Sequence, residues 1–265
     1  MPNHVTSRCV ITGPAADVAR FREQMIVTKM EEPEEWWRAD RKPQPYTTFD
    51  FDAIIPMPEV LRRAEDSTAA EEGMAMITAR GERGAPFATY GLYAARIAWI
   101  RAQAGLCADA SISAVAGAFL EKHPRWEEAG KARMQALTET GFVSWYPWSI
   151  ANWGTKWGAY AFSLAAEEPL TIKFETAWNF PTPVFEALIA AFPTLTFDCI
   201  CFDEGWNFAG EGVFAADVTT FREVKATDAM YERVYLRKPE RDEDDEDADG
   251  KAAPGAADPQ EAARG

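Results

Sequence analysis

Cysteine and histidine are the scarcest chemistry in this chain of 265 residues. It holds four cysteines (Cys9, Cys107, Cys199, Cys201) and two histidines (His4, His123). That is too little for a disulfide-stapled miniprotein. Cys199-x-Cys201 is also not a zinc-ribbon pair, which needs about two to four intervening residues and a second such pair. A strand over residues 195–202 puts Leu195, Phe197, Cys199 and Cys201 on one face, where two thiols serve as small buried hydrophobes. No metal and no cofactor is expected. Long apolar runs are missing too: no uncharged stretch approaches the roughly 20 residues of a membrane span. The opening Met1-Pro2-Asn3-His4 lacks the basic and apolar regions of a secretory signal. These absences predict a soluble, cytoplasmic protein with no membrane partner.

Positive charge is likewise short. Twenty-seven Lys and Arg stand against 42 Asp and Glu, for a formal net charge of −15. Ten acidic and three basic residues fall between Glu240 and Gly265, which places −7 in that stretch and −8 in the remainder. Six consecutive acids at 242–247 repel one another, and the Ala/Gly/Pro stretch after them offers nothing to bury. Residues 238–265 therefore read as a disordered acidic tail. An acidic body argues against nucleic acid, whose affinity for proteins comes from clustered Lys and Arg. It suits a protein partner with a basic surface.

What the chain does have is core material: 47% apolar residues, 12% aromatic. Val5, Cys9 and Ile11 alternate along a first strand with Ser7 between them. Gly13-Pro14 opens a helix whose buried stripe is Val18, Phe21 and Met25. Phe49 and Phe51 alternate with Asp50 and Asp52 in a further strand over residues 47–53. Later, residues 170–176 alternate cleanly, with Ile172 and Phe174 on one side and Lys173 and Glu175 on the other. Pro181-Thr182-Pro183 opens a short helix with Thr182 as N-cap, then come a strand over 195–202 and a last one over 208–215. Strand–helix–strand at one end and strand–helix–strand–strand at the other predict an α+β, ferredoxin-like sandwich with one extra edge strand. It takes residues 1–58 and 143–237. Residues 59–142 are Ala-rich and read as a helical insertion of three or four helices, with stripes at Leu92, Ala95, Trp99 and Ala102, at Ile112, Val115 and Phe119, and at Trp126, Ala129, Arg133 and Leu137.

The unusual stretch is residues 144–160, SWYPWSIANWGTKWGAY, with four of the ten tryptophans. Gly154-Thr155-Lys156 is not a phosphate-binding loop, because the upstream glycine is missing and the order around the lysine is reversed. Several blocks together resemble the YubB-type, ferredoxin-like-domain family of plasmids, phages and other mobile elements. They are Met1–Val5 with Ile11–Pro14, Phe49–Phe51 with Ile55–Pro58, Trp145–Trp148 with Asn152–Trp157, Phe174–Trp178 with Pro181 and Pro183, and Phe202 and Glu204 with Phe208–Gly210. The chain departs from the family pattern at Pro147, Ala151 and Gly158, where acidic or polar residues are usual. The resemblance implies a fold and a mobile-element origin, and no established activity.

Two readings of the aromatic block follow. In one it is a connector whose rings lock the insertion onto the sheet. In the other, Asn152, Trp153, Thr155, Lys156 and Trp157 line a cleft, with Trp178 and Trp206 as aromatic walls. The function expected is a non-catalytic accessory or interaction protein of a mobile element that engages a host or element-encoded partner. The alternatives are an enzyme or small-ligand binder using that cleft, and a single-stranded nucleic-acid binder. No catalytic residue is assigned. Glu175 and Glu204 are noted as a carboxylate pair of unknown spacing, with Glu175 facing away from the core.

Overall fold

The structure, a computed structural model, describes residues 3–30, 43–81, 94–107 and 109–240. Its centre is strand β1 (His4–Thr12), which pairs antiparallel with β5 (Leu170–Ala177) on one side and β6 (Thr196–Asp203) on the other. Strand β4 (Tyr160–Ala166) continues the sheet beyond β5, and β7 (Ala209–Ala215) continues it beyond β6. Two short strands, β8 (Val218–Thr219) and β9 (Arg222–Val224), pair with β7. The result is a mixed α+β protein on a seven-stranded antiparallel sheet.

Period-two alternation gives each strand an inner and an outer face. Val5, Cys9 and Ile11 of β1 turn inward with Ile172 and Phe174 of β5 and with Phe197, Cys199 and Cys201 of β6, all essentially inaccessible. Helices α1 (Ala15–Met25) and α8 (Thr182–Ala191) close that face through Phe21 and Met25, and through Val184, Phe185 and Leu188. Phe185 lies at the middle of an aromatic cluster, 4.9–6.0 Å between ring centroids from Phe49, Phe180, Phe197 and Phe214. Cys9, Cys199 and Cys201 are unpaired thiols inside this core, while Cys107 is exposed.

A second core is helical. Helix α3 (Thr68–Arg80) packs on α5 (Ile112–Lys122) and α6 (Pro124–Thr140), with α4 (Ala94–Ala104) beside α5. Met74, Ile77, Ile100, Val115, Phe119, Leu120 and Met134 fill it. Gly73 of α3 and Gly130 of α6 meet backbone to backbone. A Cβ on either would run into the other helix, so this crossing requires glycine. The helices are not walled off from the sheet. Leu61 and Ala64, in and after α2 (Glu59–Arg63), and Ala136 of α6 belong to the sheet core.

Several expectations are corrected. Residues 47–53 are not a strand of the main sheet. Strand β3 (Pro45–Phe49) pairs with β2 (Ile26–Met30) in a separate two-stranded ribbon, and residues 51–53 form a single 3-10 turn. The reason is local: Asp50 accepts the backbone N–H of Asp52 and stops the strand, so Phe49 and Phe51 are both buried. Five helices, rather than three or four, are described between residues 59 and 142. Among the described side chains of α4, Ile100 is buried, while Trp99 and Ala102 are exposed; Leu92 and the side chain of Ala95 lie outside the description, and Ile112 on α5 is exposed. Pro181, not Thr182, occupies the cap position of α8. More than one strand is added to the sheet, and a last helix, α9 (Asp228–Tyr235), packs on its outer face through Met230 and Val234. The tail expected at 238–265 falls outside the described residues from 241 onward.

Candidate functional site

Most of the aromatic block is helix α7 (Trp145–Trp153), with Pro147 in its first turn, where its missing N–H costs nothing. Gly154 ends it at φ +77, and a Cβ there would meet Pro183 Cδ at 2.8 Å, so α7 and α8 approach through a glycine. Trp148 and Trp153 are buried in the sheet core, and Trp153 Nε1 donates to the carbonyl of Ile55 at 3.0 Å. Asn152 donates back to the Trp148 carbonyl within the helix (2.9 Å), and Thr155, 1% exposed, donates to the Trp157 carbonyl (2.7 Å). Asn152, Trp153 and Thr155 thus hold the block together and do not bring polar groups to one opening. Lys156 and Trp157 do reach the surface region. The Lys156 ammonium lies 4.9 Å from the Trp157 ring centroid, 5.2 Å from that of Trp178 and 5.5 Å from that of Tyr146. That is an aromatic cage filled by the protein's own lysine.

Trp178, which belongs to the cage, and Trp206 lie on either side of the start of β1. Both have positive φ, +74 and +60, which is costly for residues with a Cβ. Trp178 N–H donates to the Asn3 carbonyl (3.0 Å), and Trp206 N–H to the Asp203 carbonyl (2.9 Å). Trp206 turns away from the cage and stacks on Tyr231 of α9, with centroids 5.5 Å apart and planes at 8°.

Between them, a row of polar side chains crosses the outer face of the sheet, contributed by β4, β5, β1 and the end of β6. Tyr160 is opposite Glu175, which is opposite Thr6; His4 is next along β1, and Glu204 follows β6. The Glu204 carboxylate accepts the His4 backbone N–H (2.8 Å), and the Glu204 N–H returns to the His4 carbonyl (2.9 Å). The imidazole lies between the two carboxylates: Nδ1 is 3.8 Å from Glu175 and Nε2 4.0 Å from Glu204. Nδ1 is also 2.6 Å from the Tyr160 hydroxyl. Burial, then the charges of Glu175 and Glu204, hold the Tyr160 phenol far above its ordinary range. A phenol that stays protonated can serve as the donor in its contact with Nδ1.

This row opens into a cavity of about 410 Å³ walled by Trp206, Tyr231 and Tyr235, with Arg237 and Glu240 at its rim. Arg237 pairs with Glu240 at 2.8 Å, and among the described residues no Lys or Arg pairs with Glu175 or Glu204, which line the space. Burial also raises the Tyr235 phenol, against a hydrogen bond with Thr6 that lowers it. Lys173 lies 5.5 Å from the Tyr235 ring. On the far side of His4 and Tyr160 is a second cavity, of about 540 Å³.

His4, Tyr160, Tyr231 and Tyr235 were not assigned from sequence. The signal for His4 is its parity: if Val5, Cys9 and Ile11 turn inward, His4 faces outward, on the same side as Glu175. Among the described residues, no group of three or more His, Cys, Asp or Glu is placed to hold a metal ion. No helix there is long and apolar enough to cross a membrane.

No family model matches the sequence. No curated protein matches it. Among solved structures, the crystal structure of a protein api92 from Yersinia pseudotuberculosis, of the family model DUF1281, aligns over 86% of this chain and 99% of its own. The two are 10% identical with a TM-score of 0.36, a likeness that carries no argument.

Proposed function

We propose that this is a non-catalytic interaction protein that receives a cationic side chain, of arginine or lysine, from a basic partner protein. The observation that carries the reading is the acidic, aromatic-walled cavity. Two carboxylates converge on a space whose walls are Trp206, Tyr231 and Tyr235. Aromatic faces and carboxylates both favour a cation and disfavour an anion. Trp206 is held there in a costly backbone conformation, as residues at binding sites often are. The net charge of −15 acts in the same direction at long range.

The finer fold reading, a ferredoxin-like sandwich, belongs to the same proposal. Its support is the order β4-β5-β1-β6, with α1 and α8 on one face. A YubB-type relationship and a mobile-element origin rest on the residue blocks quoted above.

The test is selection of displayed random peptides on the full chain and on a Glu175→Gln/Glu204→Gln double variant. Both carry the same acidic C-terminal residues, so attraction to those cancels. Peptides enriched in Arg or Lys on the wild type and not on the variant support the reading. Equal enrichment on both proteins rejects it.

A further inference from the structure

We infer that the two cavities that meet at His4 act as one groove for an extended peptide segment of the partner, with a basic residue followed two positions later by an apolar one. This rests on the cation-binding reading above and adds a second subsite to it. His4 lines both cavities, so its imidazole stands where they meet; the Tyr160 ring, its centroid 5.5 Å from that of His4, lines the second.

The chemistry changes across that divide. On the Glu204 side two carboxylates face the space. On the other side the charges are matched within the protein: Lys29 pairs with Asp50 at 2.8 Å, and Arg62 pairs with Asp52. What remains for an occupant is aromatic surface from Tyr46, which is 44% exposed, and from the half-buried Trp157. Such a wall accepts an aliphatic or aromatic side chain and gives a second cation no unpaired carboxylate.

Spacing sets the register. Successive side chains on one face of an extended chain stand about 6.6–6.8 Å apart. That is enough to step over the imidazole of His4, whereas adjacent residues point to opposite faces. The occupant is therefore a segment of the form basic–x–apolar.

The experiment is calorimetric titration of the full chain with four capped peptides: Gly-Arg-Gly-Leu-Gly, Gly-Arg-Gly-Gly-Gly, Gly-Gly-Gly-Leu-Gly and Gly-Arg-Leu-Gly-Gly. The first should bind at least tenfold tighter than the second. The fourth, with adjacent residues, should bind no better than the second. Tyr46→Ser, a change at an exposed position, should abolish the tenfold gain and leave the arginine-only peptide unaffected. Glu204→Gln should weaken both peptides that bind. Arginine-only binding with no gain from leucine overturns the groove and leaves the cation site standing. Absence of any arginine-dependent binding overturns both.

Discussion

The inner and outer faces of the sheet are made by the same strands yet obey different rules. Inward, β1, β5 and β6 present Val5, Cys9, Ile172, Phe174 and Phe197, and α1 and α8, with side chains of α2, α6 and α7, bury them. Outward, the same strands present His4, Thr6, Arg8, Lys173 and Glu175, and among the described residues the eight-residue α9 and the segment after it cover part of the surface. The inner face is where stability resides. The outer face leaves a cavity beside its small apolar cluster of Ile200, Phe202, Ala209, Met230 and Val234, and its polar groups contact one another across strands. One sheet thus separates a sealed apolar face from a polar, partly open one by side-chain parity alone.

The largest contrast should be chemical. Cys9, Cys199 and Cys201 are sealed in the inner face, and burial pushes the thiols of Cys199 and Cys201 well above their ordinary range. A thiol reagent on the native protein should modify Cys107 and leave the other three untouched until the protein unfolds. Peptide mapping showing early modification of Cys199 would mean the inner face opens readily.

Next is Phe185→Ala, which empties the middle of the aromatic cluster. It should cost about 3–5 kcal/mol in urea unfolding. A loss below about 1 kcal/mol would show that α8 is not held as described. On the outer face, Met230→Ala removes one of the two residues that dock α9, and a loss of about 2 kcal/mol is expected. Its effect on binding of the arginine peptide should exceed that of Phe185→Ala measured under folding conditions, because α9 carries Tyr231 and Tyr235.

Smaller still is Lys156→Ala. The ammonium gains from three aromatic rings at a half-buried site, so the expected loss is about 1 kcal/mol, with arginine binding unchanged. Loss of binding with unchanged stability would move the site to the lysine cage.

The smallest effect is on pH dependence. A hydrogen bond from Arg233 of α9 is the main cause holding the Glu211 carboxyl below its ordinary value of 4.5. A carboxylate depressed in the folded state contributes stability above its unfolded pKa and loses it as pH falls through the folded one. Glu211→Gln should therefore flatten the acid side of the stability curve below about pH 4.5 and change little at neutral pH, where the exposed pair is screened. An unchanged acid slope would remove this link between β7 and α9.

Strand positions with clean alternation were legible in advance. Residues 5–12, 170–176 and 195–202 each carry an inward apolar series, and each is a strand within one residue of the expected bounds. Strand β4 was not, because Ala161, Ala165 and Ala166 blur its alternation and register shifts interrupt its pairing. The expected strand at 47–53 has perfect alternation, but an Asp side chain capping the next turn outweighs it. In the aromatic block, composition pointed to unusual burial. Whether Asn152 and Thr155 faced a cleft or their own backbone depended on helix geometry that composition does not contain.

The sequence by itself determined the apolar content, the acidic charge, the inner faces of three strands and the buried state of three thiols, because each follows from periodicity or counting. Only the tertiary structure decided that His4, Tyr160, Glu175 and Glu204 form one row. They are separated by up to 200 positions along the chain, and cross-strand register, set by many backbone hydrogen bonds at once, is what brings them within 4.0 Å of the imidazole.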